Sequence, residues 1–496
     1  MQLPITVDPH VASTLQSQIV EQLRTLIESG KLQPGTPVPT SRDLGRQLAV
    51  SRNTVTGAYE TLIDLGYLFT EPTVGTFVAR QLPQAMLRVE GSVDKVRSGA
   101  MLRTLNLPLP YTGKGAPGLH RPVVRGTSID FAFGRSAVRL FPGATWRRIV
   151  NDCLGGAAER ISEYGDPAGV QELRQLITSY LGPARGMVVS AEQVILVAGF
   201  QQGIDLAAHL FAGTQRSVVM EAPTYRGAAF LFETYGSRVI PVSVDQHGID
   251  VSRLPEERVK LIYVTPSHQF PTGVTMPLQR RLALLEWAAR SGAYILEVDY
   301  DSDFRYVGSP LPSLQSLDKN GCVIYVNSFS RSIGPGVRLG YVVVPRDLIR
   351  PTITIKSLMD NGLPWLEQAA LAQFMREGAW ETHLKRLRQA YEKRREALIE
   401  AMRTHLPDAK MSDAAAGTHV FLRLPSSVTS AVKVQEAAMK EGTRVYPLVD
   451  SPAWLFEHLE GHQRSLLLGY AHLTEDQIAM GIKVLAHAVR GGDAIR

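Results

Sequence analysis

Residues 31–79 read KLQPGTPVPTSRDLGRQLAVSRNTVTGAYETLIDLGYLFTEPTVGTFVA. Two helical stretches lie within this segment, each opened by a hydroxyl residue able to accept a hydrogen bond from first-turn amides. Ser41 is placed to cap a short helix holding Asp43, Leu44 and Leu48. Ser51 caps a second, RNTVTGAYETLIDLGY, whose apolar face runs Val55, Ala58, Tyr59, Leu62 and Leu65 until Gly66 ends it. Two extended pieces follow, Tyr67–Thr70 and Thr76–Ala79, joined by the turn Glu71–Gly75. Upstream, Leu15, Ile19, Leu23, Leu26 and Ile27 recur at helical spacing, and Gly30 stops that helix. Three helices and a hairpin predict a winged helix-turn-helix.

In such a motif the second helix enters the major groove and its N-terminal residues meet base edges. Here those residues are Arg52, Asn53 and Thr54, types suited to guanine, adenine and either phosphate or the thymine methyl. Arg42 opens the preceding helix, within reach of the DNA backbone or an adjacent base, and Gly75 lets the wing approach the minor groove closely. The segment resembles the GntR-type DNA-binding domain nearly position by position over about 65 residues. That resemblance implies DNA contacts at Thr40, Ser41, Arg42, Ser51, Arg52, Asn53, Thr54 and Gly75.

Charge is unevenly spread. Residues 1–80 carry 6 basic and 7 acidic side chains, residues 81–125 carry 7 and 2, and the remainder 40 and 38. The basic excess therefore falls in a stretch with five prolines and no sustained period, which reads as a flexible linker at 81–125 between a DNA-binding domain at 1–80 and a large domain at 126–496. With 496 residues, 44% apolar and 20% charged, the chain has ample material for a large core, and collagen-like, coiled-coil and disordered readings are excluded. Cys153 and Cys322 are the only cysteines, no metal-spaced cluster is visible, and no apolar run approaches a membrane span. A cytoplasmic protein without a membrane partner is expected.

Beyond residue 130, apolar β-rich segments alternate with helical ones. VILVAGF, SVVMEAPTY, VKLIYVTPSHQ, AYILEVDYD, CVIYVNSFS and RLGYVVVP read as strands with polar residues at their carboxyl ends, and stretches such as LQRRLALLEWAARSG as helices. This is the α/β pattern of a mostly parallel sheet whose ligand site lies beyond the strand C-termini. Residues 366–406 read as one long amphipathic helical stretch, and a smaller α+β unit closes the chain.

YGDPAGVQELR (164–174), AGFQQGIDL (198–206), EAPTYRG (221–227), TPSHQFPTG (265–273) and SFSRSIGPGVRLGY (328–341) resemble the fold-type-I aminotransferases, and among them the MocR branch of GntR-type regulators. The resemblance implies a pyridoxal 5'-phosphate pocket: Phe200 and Gln201 at a helix N-terminus with Ser328, Ser330 and Arg338 for the phosphate, Tyr225 on the ring face, Tyr300 at the phenolic oxygen, and His268 beside it. Three positions depart from the family pattern. Arg331 stands where the family has its Schiff-base lysine, Val298 where it has the ring-nitrogen aspartate, and Asp450 where it has the arginine for the substrate carboxylate. A guanidinium cannot attack an aldehyde as a lysine amine does, so the departures speak against covalent cofactor binding and leave non-covalent binding open. Arg331 is free to pair with an anionic ligand or with Asp299, and Asp450 would attract an amine or other cation.

The expectation is therefore a homodimeric, non-enzymatic transcription regulator that binds double-stranded operator DNA and senses a small-molecule effector. Two alternatives stand beside it: an aminotransferase with an accessory DNA-binding domain, and a constitutive DNA-binding dimer whose second domain is scaffold alone.

Overall fold

The computed structural model describes residues 2–9, 11, 13–80, 129–308, 311–412, 415–455 and 461–492. The linker expected at 81–125 lies outside the described residues. The chain divides into two compact units, Met1–Leu107 and Pro108–Arg496.

In the first unit, helices Leu15–Glu28, Ser41–Leu48 and Arg52–Asp64 precede a hairpin of Leu68–Glu71 and Gly75–Val78. The caps follow the sequence with one correction. Thr40, rather than Ser41, caps the second helix: its Oγ1 accepts from the Asp43 amide at 3.2 Å and donates to the Asp43 carboxylate at 2.6 Å. That pairing with the third helical residue is what a hydroxyl one position later would lack. Ser51 caps the third helix as expected, accepting from the Thr54 amide at 3.1 Å. The turn between these helices is tight because Gly45 packs against it, where an added Cβ would lie 3.1 Å from the Val50 carbonyl. Residues 35–38 lie against the hairpin as a third edge, with Gly35 and Val38 donating to the Val78 and Thr76 carbonyls. Ile19, Leu23, Leu44, Val55, Leu62 and Val78 are fully buried between these elements, each worth roughly 1.5–3 kcal/mol.

The second unit is built on an eight-stranded sheet in the order Val194–Val197, Gly340–Val343, Val323–Ser328, Tyr294–Asp299, Leu261–Val264, Ser217–Ala222, Arg238–Asp245, Gly248–Ile249. Gly340–Val343 and the terminal Gly248–Ile249 run antiparallel to their neighbours, and the other pairings are parallel. Apolar residues fill both faces, as a sheet covered by helices on each side requires. The helical region expected at 366–406 is two helices, Trp365–Arg376 and Ala379–His405, broken at Gly378, whose φ of +71° no helix interior accommodates. Helix Ala379–His405 packs with Ala431–Lys440 and Glu475–Gly492 on a four-stranded sheet of Lys410–Met411, His419–Arg423, Ser465–Gly469 and Tyr446–Pro447, which is the closing α+β unit. Cys322 is buried and Cys153 half-buried, its Sγ 3.6 Å from Gln373 Oε1. No helix among the described residues is long and apolar enough to cross a membrane.

Candidate functional site

The first unit presents an exposed polar face. Arg52 and Asn53 open helix Arg52–Asp64 with their side chains in solvent, and Arg52 Nε donates to Ser41 Oγ at 3.4 Å, tying the two helices' N-termini together. Thr40, Arg42 and Ser51 are exposed on the same side of the turn, with Ser41 and Thr54 half-buried. Arg24 is engaged by Glu21 at 2.7 Å and Glu28 at 3.5 Å, while Arg42 and Arg46 have no carboxylate partner among the described residues. Gly75 is exposed at the wing with φ +150°, beside an exposed Val74.

In the second unit a cavity of about 430 Å³ lies at the C-terminal ends of the central strands. Of the eleven residues expected in the pocket, it is lined by Phe200, Tyr225, Val298, Tyr300, Ser328, Ser330, Arg331 and Arg338. Gln201, His268 and Asp450 do not line it. Gln201 Oε1 is buried with no hydrogen-bond partner among the described residues. His268 sits behind Tyr300, whose hydroxyl lies 3.3 Å from its Nδ1. Asp450 is half-buried in the turn Leu448–Asp450.

Strand alternation decides which acidic groups reach the cavity. Glu297, Val298 and Asp299 are consecutive on one strand, so Val298 alone faces the cavity. Glu297 accepts from the Leu314 and Gln315 amides at 2.9 Å, and burial pushes its carboxyl up to about 7. Asp299 accepts from the Tyr325 hydroxyl at 2.7 Å and pairs with Arg185 at 3.0 Å. Asp299 is thus no partner for Arg331, as the sequence had left open. Arg331 Nε instead lies 3.5 Å from Oδ1 of Asp301, and its guanidinium stands over the Tyr300 ring at 5.9 Å.

Asp301 is a fully buried hub. Its Oδ2 lies 3.2 Å from His268 Nδ1 and 3.6 Å from His419 Nδ1, and Thr418 donates both amide and hydroxyl to the carboxylate. Burial alone would raise this carboxyl; the hydrogen bond with His268, the close approach of His419 and the charge of Arg331 hold it well below the usual range. His419, fully enclosed, is pushed down to about 4 by desolvation and stays neutral. His268, Asp301 and His419 bring potential metal-ligand atoms within 4.8 Å of one another, a grouping that three distant segments assemble and spacing along the chain does not reveal. Arg331 already supplies the positive charge that balances Asp301 there.

Phe200, Ser328, Ser330 and Arg338, four of the five residues expected around a phosphate, line the same cavity. Helix Phe200–Phe211 follows Gly199 at φ +84° with no side-chain cap, so its first amides remain open to an anion. Ser328 and Ser330 share a 2.7 Å hydrogen bond, and Arg338 donates to the Ala198 carbonyl beside that helix start. Gln202 steadies the turn by accepting from the Ala198 amide at 2.7 Å and donating to Asp360, which the buried Lys356 holds at 2.6 Å. Tyr225 packs edge-on against Phe200 and Phe270, and burial raises its hydroxyl to about 12.

Sequence reasoning missed the wall contributed by Phe133, Gly134, Arg135, Phe270 and Tyr446. Arg135 pairs with Asp130 at 3.1 Å, and Asp130 also accepts from the Tyr446 hydroxyl at 2.8 Å, so tertiary contact alone unites this group. With them the cavity wall holds three arginines and no aspartate, glutamate or lysine among the described residues. The cation-attracting site inferred from Asp450 is corrected accordingly: the charge facing the cavity is positive.

Toward a pyridoxal phosphate the described lining offers the hydroxyls of Ser328 and Ser330 and the guanidinium of Arg338 for a phosphate, but no lysine amine and no carboxylate. A separate hollow of about 530 Å³, lined by Tyr180, Arg185, Asp303 and Arg388 among others, belongs to the network around Asp299.

Two family models match. Residues 15–78 match "Bacterial regulatory proteins, gntR family" and residues 141–485 match "Aminotransferase class I and II". An uncharacterized HTH-type transcriptional regulator, YhdI of Bacillus subtilis, is 33% identical over 97% of this chain and 98% of its own length. A probable rhizopine catabolism regulatory protein, MocR of Rhizobium meliloti, is 33% identical over 96% of this chain and 93% of its own. The crystal structure of LysN, an alpha-aminoadipate aminotransferase from Thermus thermophilus complexed with N-(5'-phosphopyridoxyl)-L-leucine, is 28% identical with a TM-score of 0.69, covering 77% of this chain and 98% of that one.

Proposed function

The chain belongs to the class I and II aminotransferase family and carries a gntR-type helix-turn-helix ahead of that domain, in the manner of MocR-type transcriptional regulators, and from this we propose that it is a ligand-responsive, DNA-binding regulator that runs no aminotransferase chemistry. The observation that carries the second half of this reading is the cavity wall, where Arg331 replaces the amine and Val298 the carboxylate that pyridoxal chemistry uses. A protonated, delocalised guanidinium is no nucleophile toward an aldehyde. Without a carboxylate at the ring nitrogen, the electron sink of transamination is lost as well.

In this reading Arg52, Asn53 and Thr54 meet base edges, while Thr40, Ser41, Arg42, Ser51 and Gly75 meet the backbone or the minor groove. The second domain pairs two chains and senses the effector. Exposed large apolar side chains support pairing: Tyr164 is 88% and Leu358 85% exposed in the single chain. Ligand binding then changes DNA affinity by favouring one arrangement of the two DNA-binding domains over another.

The test is the absorption spectrum of the full chain after incubation with pyridoxal phosphate and desalting, then borohydride treatment and intact mass. No mass adduct is the expected result. A stable adduct with turnover of an amino acid would replace this reading with an aminotransferase carrying a DNA-binding domain. Unchanged thermal stability and operator affinity across phosphorylated ligands would reduce the second domain to scaffold.

A further inference from the structure

We propose that the cavity takes, without a covalent bond, a planar aromatic ring bearing a phosphate and a carboxylate, with Arg331 as the clamp for the carboxylate. This rests on the reading of the second domain as a ligand sensor.

Three features of Arg331 carry it. Its Nε is tethered to Asp301 at 3.5 Å and its Cζ stands over the Tyr300 ring at 5.9 Å, two contacts that restrain the side chain. Its two terminal nitrogens have no hydrogen-bond partner among the described residues, and the side chain is 17% exposed, at the cavity wall. Gly134, at φ +92°, gives it room: a Cβ there would stand 3.1 Å from Nη1. A guanidinium whose Nε is engaged and whose terminal nitrogens are open presents parallel N–H donors, the geometry a carboxylate accepts with both oxygens. An aldehyde offers a single neutral acceptor and gains less.

Charge supports the same ligand. Of the three arginines in the wall, Arg135 is balanced by Asp130 and Arg331 by Asp301, while Arg338 has no carboxylate partner among the described residues. The wall is therefore cationic before a ligand arrives. Ser328, Ser330 and Arg338 in the same wall supply donors for a phosphate, and Tyr225 and Phe270 supply flat apolar surface for a ring.

Isothermal titration of the full chain with 4-pyridoxic acid 5'-phosphate, pyridoxal 5'-phosphate and inorganic phosphate tests it. The acid is expected to bind at least about tenfold tighter than the aldehyde, since a charge-assisted bidentate pair replaces one neutral hydrogen bond. Arg331→Met should erase that preference while phosphate-dependent binding persists. Arg331→Lys should reverse it and yield a borohydride-stable mass adduct with the aldehyde. Equal affinity of the wild-type chain for acid and aldehyde, or an unchanged preference in Arg331→Met, would overturn the proposal and leave a phosphate-binding sensor standing. Failure of all three probes to bind would overturn both the proposal and the sensor reading beneath it.

Discussion

Arg331 and Asp301 form an ion pair, Nε to Oδ1 at 3.5 Å, in which the carboxylate is fully buried and the guanidinium reaches the cavity. Asp301 belongs to the strand end that follows Tyr294–Asp299, and through Thr418 and His419 it also fastens the closing α+β unit to the large sheet. One carboxylate thus sets the cavity's charge and the seating of its wall.

Asp301→Asn leaves Arg331 uncompensated and weakens the contacts to His268 and His419. Removing one partner of a buried pair costs on the order of 3 kcal/mol, and the loss here should reach about that figure. Denaturant unfolding of the second unit, followed by circular dichroism, reads it directly. A change below about 0.5 kcal/mol would mean that Arg331 and Asp301 do not hold each other.

Arg52→Ala removes an exposed cation whose one side-chain hydrogen bond among the described residues is a long one to Ser41. Folding should be unaffected, while affinity for duplexes selected from a random pool by the wild-type chain should fall about 10- to 100-fold, the worth of one good base-edge contact. Fluorescence anisotropy at fixed salt measures this. Retained affinity would place the DNA-reading surface elsewhere.

Gly203 faces the sheet from helix Phe200–Phe211, and a Cβ there would lie 2.7 Å from Val326 Cγ1 and 2.9 Å from Val342 Cγ1. Gly203→Ala should cost about 1–3 kcal/mol through overpacking. Val326→Ala vacates the nearer contact, so the double variant should be more stable than the summed single effects. Additive losses in thermal unfolding would show that helix and sheet do not meet there.

Glu221 is enclosed on strand Ser217–Ala222, where burial raises its carboxyl to about 7 against the hydrogen bonds that Thr265 and Gln269 donate to it. A carboxyl raised in the folded state favours folding fully below about pH 4.5 and loses that contribution as pH climbs through 7. The loss amounts to about 3 kcal/mol once ionised. Glu221→Gln should flatten the stability–pH curve between pH 5 and 8, since an amide accepts the same donors without ionising. An unchanged slope would assign the dependence to other groups, Glu297 foremost.

The winged helix was legible because its signals are local. Caps, helical spacing and turn glycines act within four residues, and the structure shifts them only slightly, Thr40 for Ser41 and a hairpin displaced by one. The α/β order of the second unit was legible for the same reason, each strand announcing itself by composition. Much of the pocket was legible only through resemblance, and eight of its eleven expected residues meet at one cavity.

What the sequence could not decide is which charges face one another. Val298 and Asp299 are neighbours in the chain, but strand alternation sends one to the cavity and the other to Arg185. Asp301, one turn of strand further on, becomes the partner of Arg331 and of two histidines from segments 33 residues before and 118 residues after it. The cationic wall also needs Arg135, brought in through Asp130 and Tyr446, whose hydrogen bond spans 316 positions of the chain. Local propensity fixes elements through backbone geometry over a few residues, so a chain read alone yields its elements. The sign of a cavity is a sum over side chains that only the packed tertiary structure brings within a few ångströms, and that sum was decided there.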